Sequence, residues 1–268
     1  MNNTIGPGAT GLNQASRSVD QSLQRIGSGK QINSAADDAA GLAISTAFSA
    51  QSRGQTQAIR NAGDGISLLQ TANGALKNLT DNVQRIRELS VQAANGIYTD
   101  DDRRLIGKEV AALTEQINTT LEQTNFNGKS LFSGTQEQAF QVGPDAGDQI
   151  NIPADNLADD VSALGLADVS VDSADRASNT IAIADDILAR LSQTAAENGA
   201  LQNRFESRIG NLEQDRIASE TARSRIEDAD IAKEASQLSA NQIREQVGIA
   251  VQAQANQNRG NVLALLQP

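Results

Sequence analysis

The side chains that carry most nucleophilic and metal chemistry are missing from this chain: its 268 residues include no cysteine and no histidine. Disulfides, thiolate nucleophiles, zinc sites and Ser-His-Asp triads are therefore excluded. Gly6-Pro7-Gly8-Ala9-Thr10-Gly11 matches G-x-G-x-x-G letter for letter, but a dinucleotide site needs a strand before that loop, and only five residues precede it. Asp100, Asp101 and Asp102 invite a cation, yet they are consecutive and lack the alternate spacing and the glycine of a calcium loop. They read as helix-capping acids, as do Asp37 and Asp38. Paired carboxylates for glycoside cleavage are available among 33 acids, but five Phe, one Tyr and no Trp provide little wall for a sugar pocket. No catalytic, cofactor or metal site is expected, and the chain is read as a non-enzyme.

The charge balance narrows the partners. A net charge of −11 argues against nucleic acid, whose binding draws on Lys and Arg neutralising phosphates. No apolar run approaches the ~20 residues of a membrane span, and "MNNTIGPGATG" lacks the basic region and apolar stretch of a cleaved secretory signal. The chain is expected to stay in the cytoplasm or to leave by a route that reads no cleaved signal.

What remains is helical periodicity. Leu69, Ala72, Leu76, Leu79, Val83, Ile86, Ser90 and Ala93 alternate spacings of three and four, a heptad seam. A second series, Ile181, Ala184, Leu188, Leu191, Ala195, Asn198, Gln202, Phe205, Ile209 and Leu212, keeps that spacing, and Ile106, Val110, Leu113, Ile117 and Leu121 mark a shorter helix between them. Ser34-Ala-Ala-Asp37 and Thr99-Asp-Asp-Asp102 fit N-terminal caps. The first predicts a helix from about Asp37 to Ala94, roughly 85 Å at 1.5 Å per residue. Ala139 to Pro153 reads as a small β-hairpin around Gly143-Pro-Asp-Ala-Gly147, inside a non-helical stretch from Thr124 to about Ser173. The fold class expected is mainly α: an elongated antiparallel helical bundle or coiled coil with one small β-hairpin region, both termini pairing as helices.

The ends pose a question of cover. Leu12, Ala15, Val19, Leu23 and Ile26 follow helix spacing, as do Ile231, Ala235 and Leu238. In the C-terminal stretch, however, Ile249 and Leu263 point one way while Val251, Val262 and Leu265 point nearly the other. Two helices pairing with each other leave that second stripe bare. Periodicity leaves two solutions open, a closed bundle of further helices or cover by other molecules.

Five stretches carry a family resemblance: "SGKQINSAADDAAGLAIS" (28–45), "RNAGDGISLLQTANGAL" (60–76), "VQRIRELSVQAANG" (83–96), "TNFNGKSLF" (124–132) and "ARSRIEDADIAKEAS" (222–236), with the closing "VQAQANQNRGNVLALL". In this order they resemble bacterial flagellin, over nearly all of 11–266. The resemblance implies a structural subunit that self-assembles into the flagellar filament for swimming motility, exported through the type III flagellar apparatus without cleavage and extracellular in place. It implies an inner polymerisation domain made by residues 1–35 with 226–268, and a rod-like helical domain over 36–225 carrying the hairpin at about 139–153. There is no room for the family's outer variable domains.

In such a filament the inner domains of many copies form concentric tubes, so sister subunits would cover the second stripe. The residues assigned to that inner-tube packing are Leu12, Val19, Leu23, Ile26, Ile231, Leu238, Ile243, Val247, Val251, Val262, Leu263, Leu265 and Leu266. The resemblance also places a patch of Arg85, on the outer face, Leu89, at its edge, and Glu109, off the Ile106/Val110/Leu113 stripe. In the family the matching residues meet Toll-like receptor 5 and pack between subunits along a protofilament. The partners implied are further copies of the chain, the export apparatus and a chaperone, cap and junction proteins, and that receptor, with no nucleic acid and no membrane insertion. Two other readings stand beside this one, a hook–filament junction protein and a secreted receptor ligand.

Overall fold

A computed structural model describes residues 7–134 and 137–266. Six α-helices dominate: α1 (Pro7–Ser28), α2 (Ala39–Ala94), α3 (Asp100–Gln123), α4 (Leu157–Ala163), α5 (Ala174–Glu227) and α6 (Ile231–Leu266). Two antiparallel strand pairs lie between α3 and α4, β1 (Asn125–Phe126) with β2 (Lys129–Ser130), and β3 (Gln138–Gln141) with β4 (Gln149–Ile152). The chain divides into two compact units, Met1–Ser52 with Ile217–Pro268, and Arg53–Arg216. The sequence boundary at 35/36 falls between α1 and α2 and that at 225/226 within the last turn of α5, whereas the units divide at 52/53 and 216/217, inside α2 and α5.

In the middle unit the first heptad seam is the core itself. Leu69, Ala72, Leu76, Leu79, Val83, Ile86, Ser90 and Ala93 are all buried. Ala72, Leu76, Leu79, Val83, Ile86 and Ala93 pack with Val110, Ile117 and Leu121 of α3, with Leu157 and Val161 of α4, and with Ala177, Ala184, Ile187 and Leu191 of α5. The second series needs correcting. Its sevenfold ladder holds for Ala184, Leu191, Phe205 and Leu212, but the companion positions lie one residue earlier, at Thr180, Ile187, Thr194 and Leu201. Two threonines fill seam positions there, so an apolar-only reading chose their neighbours Ile181 and Ala195, and Leu188 beside the buried Ile187 kept the same shifted phase.

The hairpin forms as expected, with Phe140 opposite Ile150 and Ala139 opposite Asn151. Val142, Ile150 and Ile152 pack on Ala62, Leu68 and Leu69 of α2 and on Leu201 and Phe205 of α5. Phe205 explains a glycine within a long helix: its ring lies against Gly65, where an added Cβ would come within 2.7 Å of it. Phe140 meets the same ring edge-on, with centroids 5.7 Å apart. The stretch read as non-helical from 124 to 173 contains α4 and a 3₁₀ turn, Leu166–Asp168. A seven-residue helix is too short to show periodicity.

Helix starts differ in how closely they follow the cap patterns. At α3 the full capping box is present: Asp102 N donates to Thr99 Oγ1 at 3.2 Å and Thr99 N donates to Asp102 Oδ2 at 3.0 Å. At α2 the acceptor is Asp38, whose Oδ1 takes Ala40 N and Gly41 N at 3.0 and 2.9 Å. Asp37 instead closes the preceding turn, accepting from the backbone N–H groups of Asn33 and Ser34.

The Thr99 hydroxyl and backbone N–H hold the Asp102 carboxyl below its ordinary 3.8. A depressed folded value means stabilisation present above 3.8 and lost as pH falls through the lower, folded value. Asp102→Asn is expected to unfold at a lower temperature than the parent at about pH 7, with the gap closing at about pH 2. Thermal unfolding followed by circular dichroism at both pH values checks this.

Candidate functional site

In the terminal unit α1 and α6 lie antiparallel: Arg25 Nη1 bonds Glu234 Oε1 at 3.2 Å, Asn241 Nδ2 reaches Ser18 O at 3.5 Å, and Gly248 faces Leu12. A Cβ at Gly248 would stand 3.4 Å from Leu12 Cδ1, an ordinary packing contact. A short backbone zipper lies beside the pair. Gln31 N donates to Glu227 O at 2.7 Å and Ala229 N to Gly29 O at 3.0 Å, with Lys30 paired to Glu227.

The composition of the helix faces is inverted. The α6 residues turned toward cover are Glu234, Leu238, Asn241, Glu245, Gly248, Gln252 and Ala255, spaced 4, 3, 4, 3, 4, 3. That is a heptad seam made mostly of polar and small residues. The branched apolar residues point away from it. Ile243, Val247 and Val251 form one stripe at intervals of four and are 61%, 56% and 61% exposed. Ile249 and Ile231 lie on the opposite flank and are also exposed, as is Leu23 on α1. An apolar surface held outward in this way is the signature of an interaction face.

The thirteen residues assigned to inner-tube packing divide accordingly. Leu23, Ile231, Ile243, Val247 and Val251 are on the open surface. Val19 is buried and Leu12, Ile26 and Leu238 are half-buried, because Leu12, Val19 and Ile26 share the α1 seam and Leu238 the facing one. These four serve pairing within the chain. Although α6 continues through Leu266, the side chains of Val262, Leu263, Leu265 and Leu266 lie outside the described residues.

The second candidate patch is in the middle unit. Arg85 Nε and Nη2 both donate to Glu109 Oε1, at 3.0 and 2.8 Å, and Nη1 to Glu88 Oε2 at 3.2 Å. The bonds from Glu109 and then Glu88 raise the Arg85 pKa further above its ordinary value. Both partners are about half exposed. Leu89 is not at an exposed edge: it is 3% exposed and packs in the core. It follows Ile86 and precedes Ala93 on the covered face of α2, so it can support the patch only from beneath.

Sequence reading missed three arginines that hold the middle unit together. Arg103 is nearly buried in the first turn of α3, and its Nε and Nη2 donate to Ala93 O and Asn95 O at 2.9 and 3.2 Å, closing the end of α2. Arg190 on α5 gathers Asp155 at 2.7 Å and Asp160 at 2.8 Å, clamping α4. Burial pushes the Asp155 carboxyl up against the opposing pull of Arg190. Arg208 donates to Val142 O at 2.8 Å and to Asp148 at 3.0 Å, fixing the hairpin. Arginines spaced far from their acids in sequence give no local signal.

Among the described residues no group of three or more acids is placed to hold a metal ion, and no helix is long and apolar enough to cross a membrane. Among the described residues the geometry offers faces for association.

Comparison with known proteins decides the family. The profile of the bacterial flagellin N-terminal helical region matches residues 8–137, and that of the C-terminal helical region matches 181–266. The chain belongs to the bacterial flagellin family. It is 37% identical to flagellin of Bacillus subtilis, covering 96% of this chain and 95% of that one. It is 36% identical to the flagellar filament 33 kDa core protein of Treponema phagedenis, over 96% and 95%. The crystal structure of Bacillus cereus flagellin superposes with a TM-score of 0.52 at 26% identity, over 57% of this chain and 88% of that one. A putative flagellar hook-associated protein of Vibrio parahaemolyticus superposes at 0.61 over 71% of this chain and 99% of its own, but at 16% identity it shows the shared fold alone. Flagellins are structural filament proteins, not enzymes.

The Arg103 closure generates a stability test. Arg103→Ala leaves two carbonyls without their charged donor and is expected to cost about 2 kcal/mol in urea unfolding, with Arg103→Lys recovering part of the loss. Equal midpoints for Arg103→Ala and the parent would remove this role.

Proposed function

We propose that this chain is a structural subunit of a bacterial flagellar filament and that it assembles with further copies through the outward apolar residues of α6, joined by Leu23 of α1. The inverted composition of α6 carries the reading. The helix spends polar and small residues on its partner within the chain and keeps Ile243, Val247 and Val251 outside. Covering each half-exposed side chain contributes about 1 kcal/mol, and summed over five such residues per copy this drives association. The finished filament is extracellular, reached through the flagellar export route with its chaperone, cap and junction proteins.

The Arg85–Glu109 pair is the second proposed contact, serving axial packing between subunits and recognition of the free subunit by Toll-like receptor 5. An exposed ion pair contributes little to folding, so both side chains are free to exchange partners at little cost.

Val247→Glu combined with Ile243→Gln is expected to leave helix content unchanged and to abolish seeded filament growth in electron micrographs. Arg85→Ala with Glu109→Ala is expected to weaken both growth and receptor response. Normal filaments from the first variant would refute assembly through α6, and unchanged growth and response in the second would refute the patch.

A further inference from the structure

An asparagine followed by glycine exposes its side-chain amide to attack by the next backbone nitrogen, because glycine has no Cβ to shield that nitrogen and lets the chain rotate into reach. The chain has four such pairs: Asn73-Gly74, Asn95-Gly96, Asn127-Gly128 and Asn198-Gly199. The fold treats them differently. Asn73 lies inside α2 and Asn198 inside α5, so the N–H groups of Gly74 and Gly199 are given to carbonyls one turn back. Asn127 and Gly128 form the two-residue turn between β1 and β2, with φ of 51° and 77° and with Phe126 paired to Lys129 across it.

Asn95 and Gly96 stand outside any helix or strand, in the turn from α2 to α3, and both are exposed. Asn95 Oδ1 accepts from Ile97 N at 3.2 Å, which keeps the amide against the chain and draws electrons from its carbon. Among the described residues no hydrogen bond engages the Gly96 N–H, so the nucleophile is free. The backbone carbonyl of Asn95 is occupied instead: it accepts from Arg103 Nη2 at 3.2 Å and from Tyr98 N at 3.3 Å. Arg103 itself is 8% exposed, so its charge acts on that carbonyl with little water between them.

We propose that Asn95-Gly96 is a self-modification site, at which the chain loses ammonia and takes up water, and that Arg103 steers the product toward isoaspartate. In the first step Gly96 N bonds to Asn95 Cγ, the Cγ–Nδ2 bond breaks, and the amide leaves as ammonia with the proton that Gly96 N gives up. The product is a five-membered succinimide made of Gly96 N and the C, Cα, Cβ and Cγ atoms of residue 95. Water then adds to one of its two carbonyl carbons and the bond from that carbon to Gly96 N breaks. Opening at Cγ leaves aspartate. Opening at the backbone carbon leaves isoaspartate, with the main chain running through Cβ and Cγ.

The backbone carbonyl is the one Arg103 holds, and a guanidinium there stabilises the negative charge that develops on its oxygen as water adds. The same bond break then undoes the latch. The carbonyl that received Arg103 and Tyr98 becomes a free carboxylate, the main chain gains one carbon between residues 94 and 96, and the turn that joins α2 to α3 loses its geometry. The other three sites are held back by structure. Gly74 and Gly199 must first break out of a helix interior, whereas Asn127 must only open a ladder two residues long, which is marginal by itself.

The test incubates the full chain in mildly alkaline buffer, once folded and once in urea, and follows all four sites by peptide mass mapping after digestion at acidic pH. Synthetic peptides distinguish aspartate from isoaspartate by retention time. Two variants run beside the parent. Gly96→Ala shields the nucleophile and is tolerated, since a Cβ there meets nothing within 4 Å and the residue has no left-handed φ. Arg103→Lys keeps a charge but loses the planar fork. Circular dichroism before incubation confirms that each protein is folded, and thermal midpoints are taken before and after.

In the folded parent Asn95 is expected to react first, Asn127 next, and Asn73 and Asn198 at least about tenfold more slowly than Asn95; in urea the four rates should draw together. The isoaspartate share at residue 95 should be higher folded than in urea and should drop in Arg103→Lys. The aged parent should melt at a lower temperature than the fresh one, and aged Gly96→Ala should not. Equal rates at the four sites of the folded chain, or Asn127 ahead of Asn95, overturn the site. An isoaspartate share at residue 95 that is the same folded, in urea and in Arg103→Lys overturns the steering by Arg103, and an unchanged midpoint in the fully modified parent overturns the loss of the latch.

Discussion

The arrangement of α6 depends on one constraint: a helix can bury only part of its circumference against a single partner. Here the part facing α1 is Glu234, Leu238, Asn241, Glu245, Gly248, Gln252 and Ala255, which leaves the branched apolar side chains outside. In a monomer built for stability the apolar residues would face inward. Their outward placement costs stability in the isolated chain and becomes favourable only when other surfaces cover it. The weakly apolar α1–α6 seam and the exposed stripes are two sides of one compromise between folding alone and assembling.

The middle unit is organised by a different economy. With few aromatics, its core is a zipper of aliphatic residues along α2, α3 and α5, and Phe205 in the Gly65 recess is a rare large ring at its centre. Arginines do the joining that bulky side chains do elsewhere. Arg103 closes the turn between α2 and α3, Arg190 clamps α4, and Arg208 holds the hairpin. Each reaches backbone carbonyls or carboxylates with several donors at once, which suits a planar guanidinium and no other side chain.

Much of this was legible in the sequence, and the failures have physical causes. The seam from Leu69 to Ala93 is apolar at nearly every heptad position, so spacing alone located the core, and the Thr99/Asp102 box announced the start of α3. The α5 register slipped because Thr180 and Thr194 occupy seam positions that apolar counting passes over, and Leu188 beside the buried Ile187 kept the shifted phase. The α6 seam was invisible for the same reason, being largely polar, although its stripes on opposite sides were readable as a problem of cover. Leu89 showed a limit of resemblance: a matching motif carries residue identity but not exposure, and the spacing from Ile86 to Ala93 places Leu89 inside. The Arg103, Arg190 and Arg208 contacts depend on tertiary geometry that no local spacing encodes.

The account stands on the claim that the α6 stripe is open in the single chain and covered by other copies in the polymer. Because the chain has no cysteine, Val247→Cys introduces a unique thiol at the centre of that stripe. Its alkylation rate can be compared in dilute subunit and in sedimented filament grown by seeding with the parent protein. Ready alkylation in the subunit with at least about tenfold protection in the filament is the predicted result, since burial excludes the reagent. Equal rates in the two states would contradict the account.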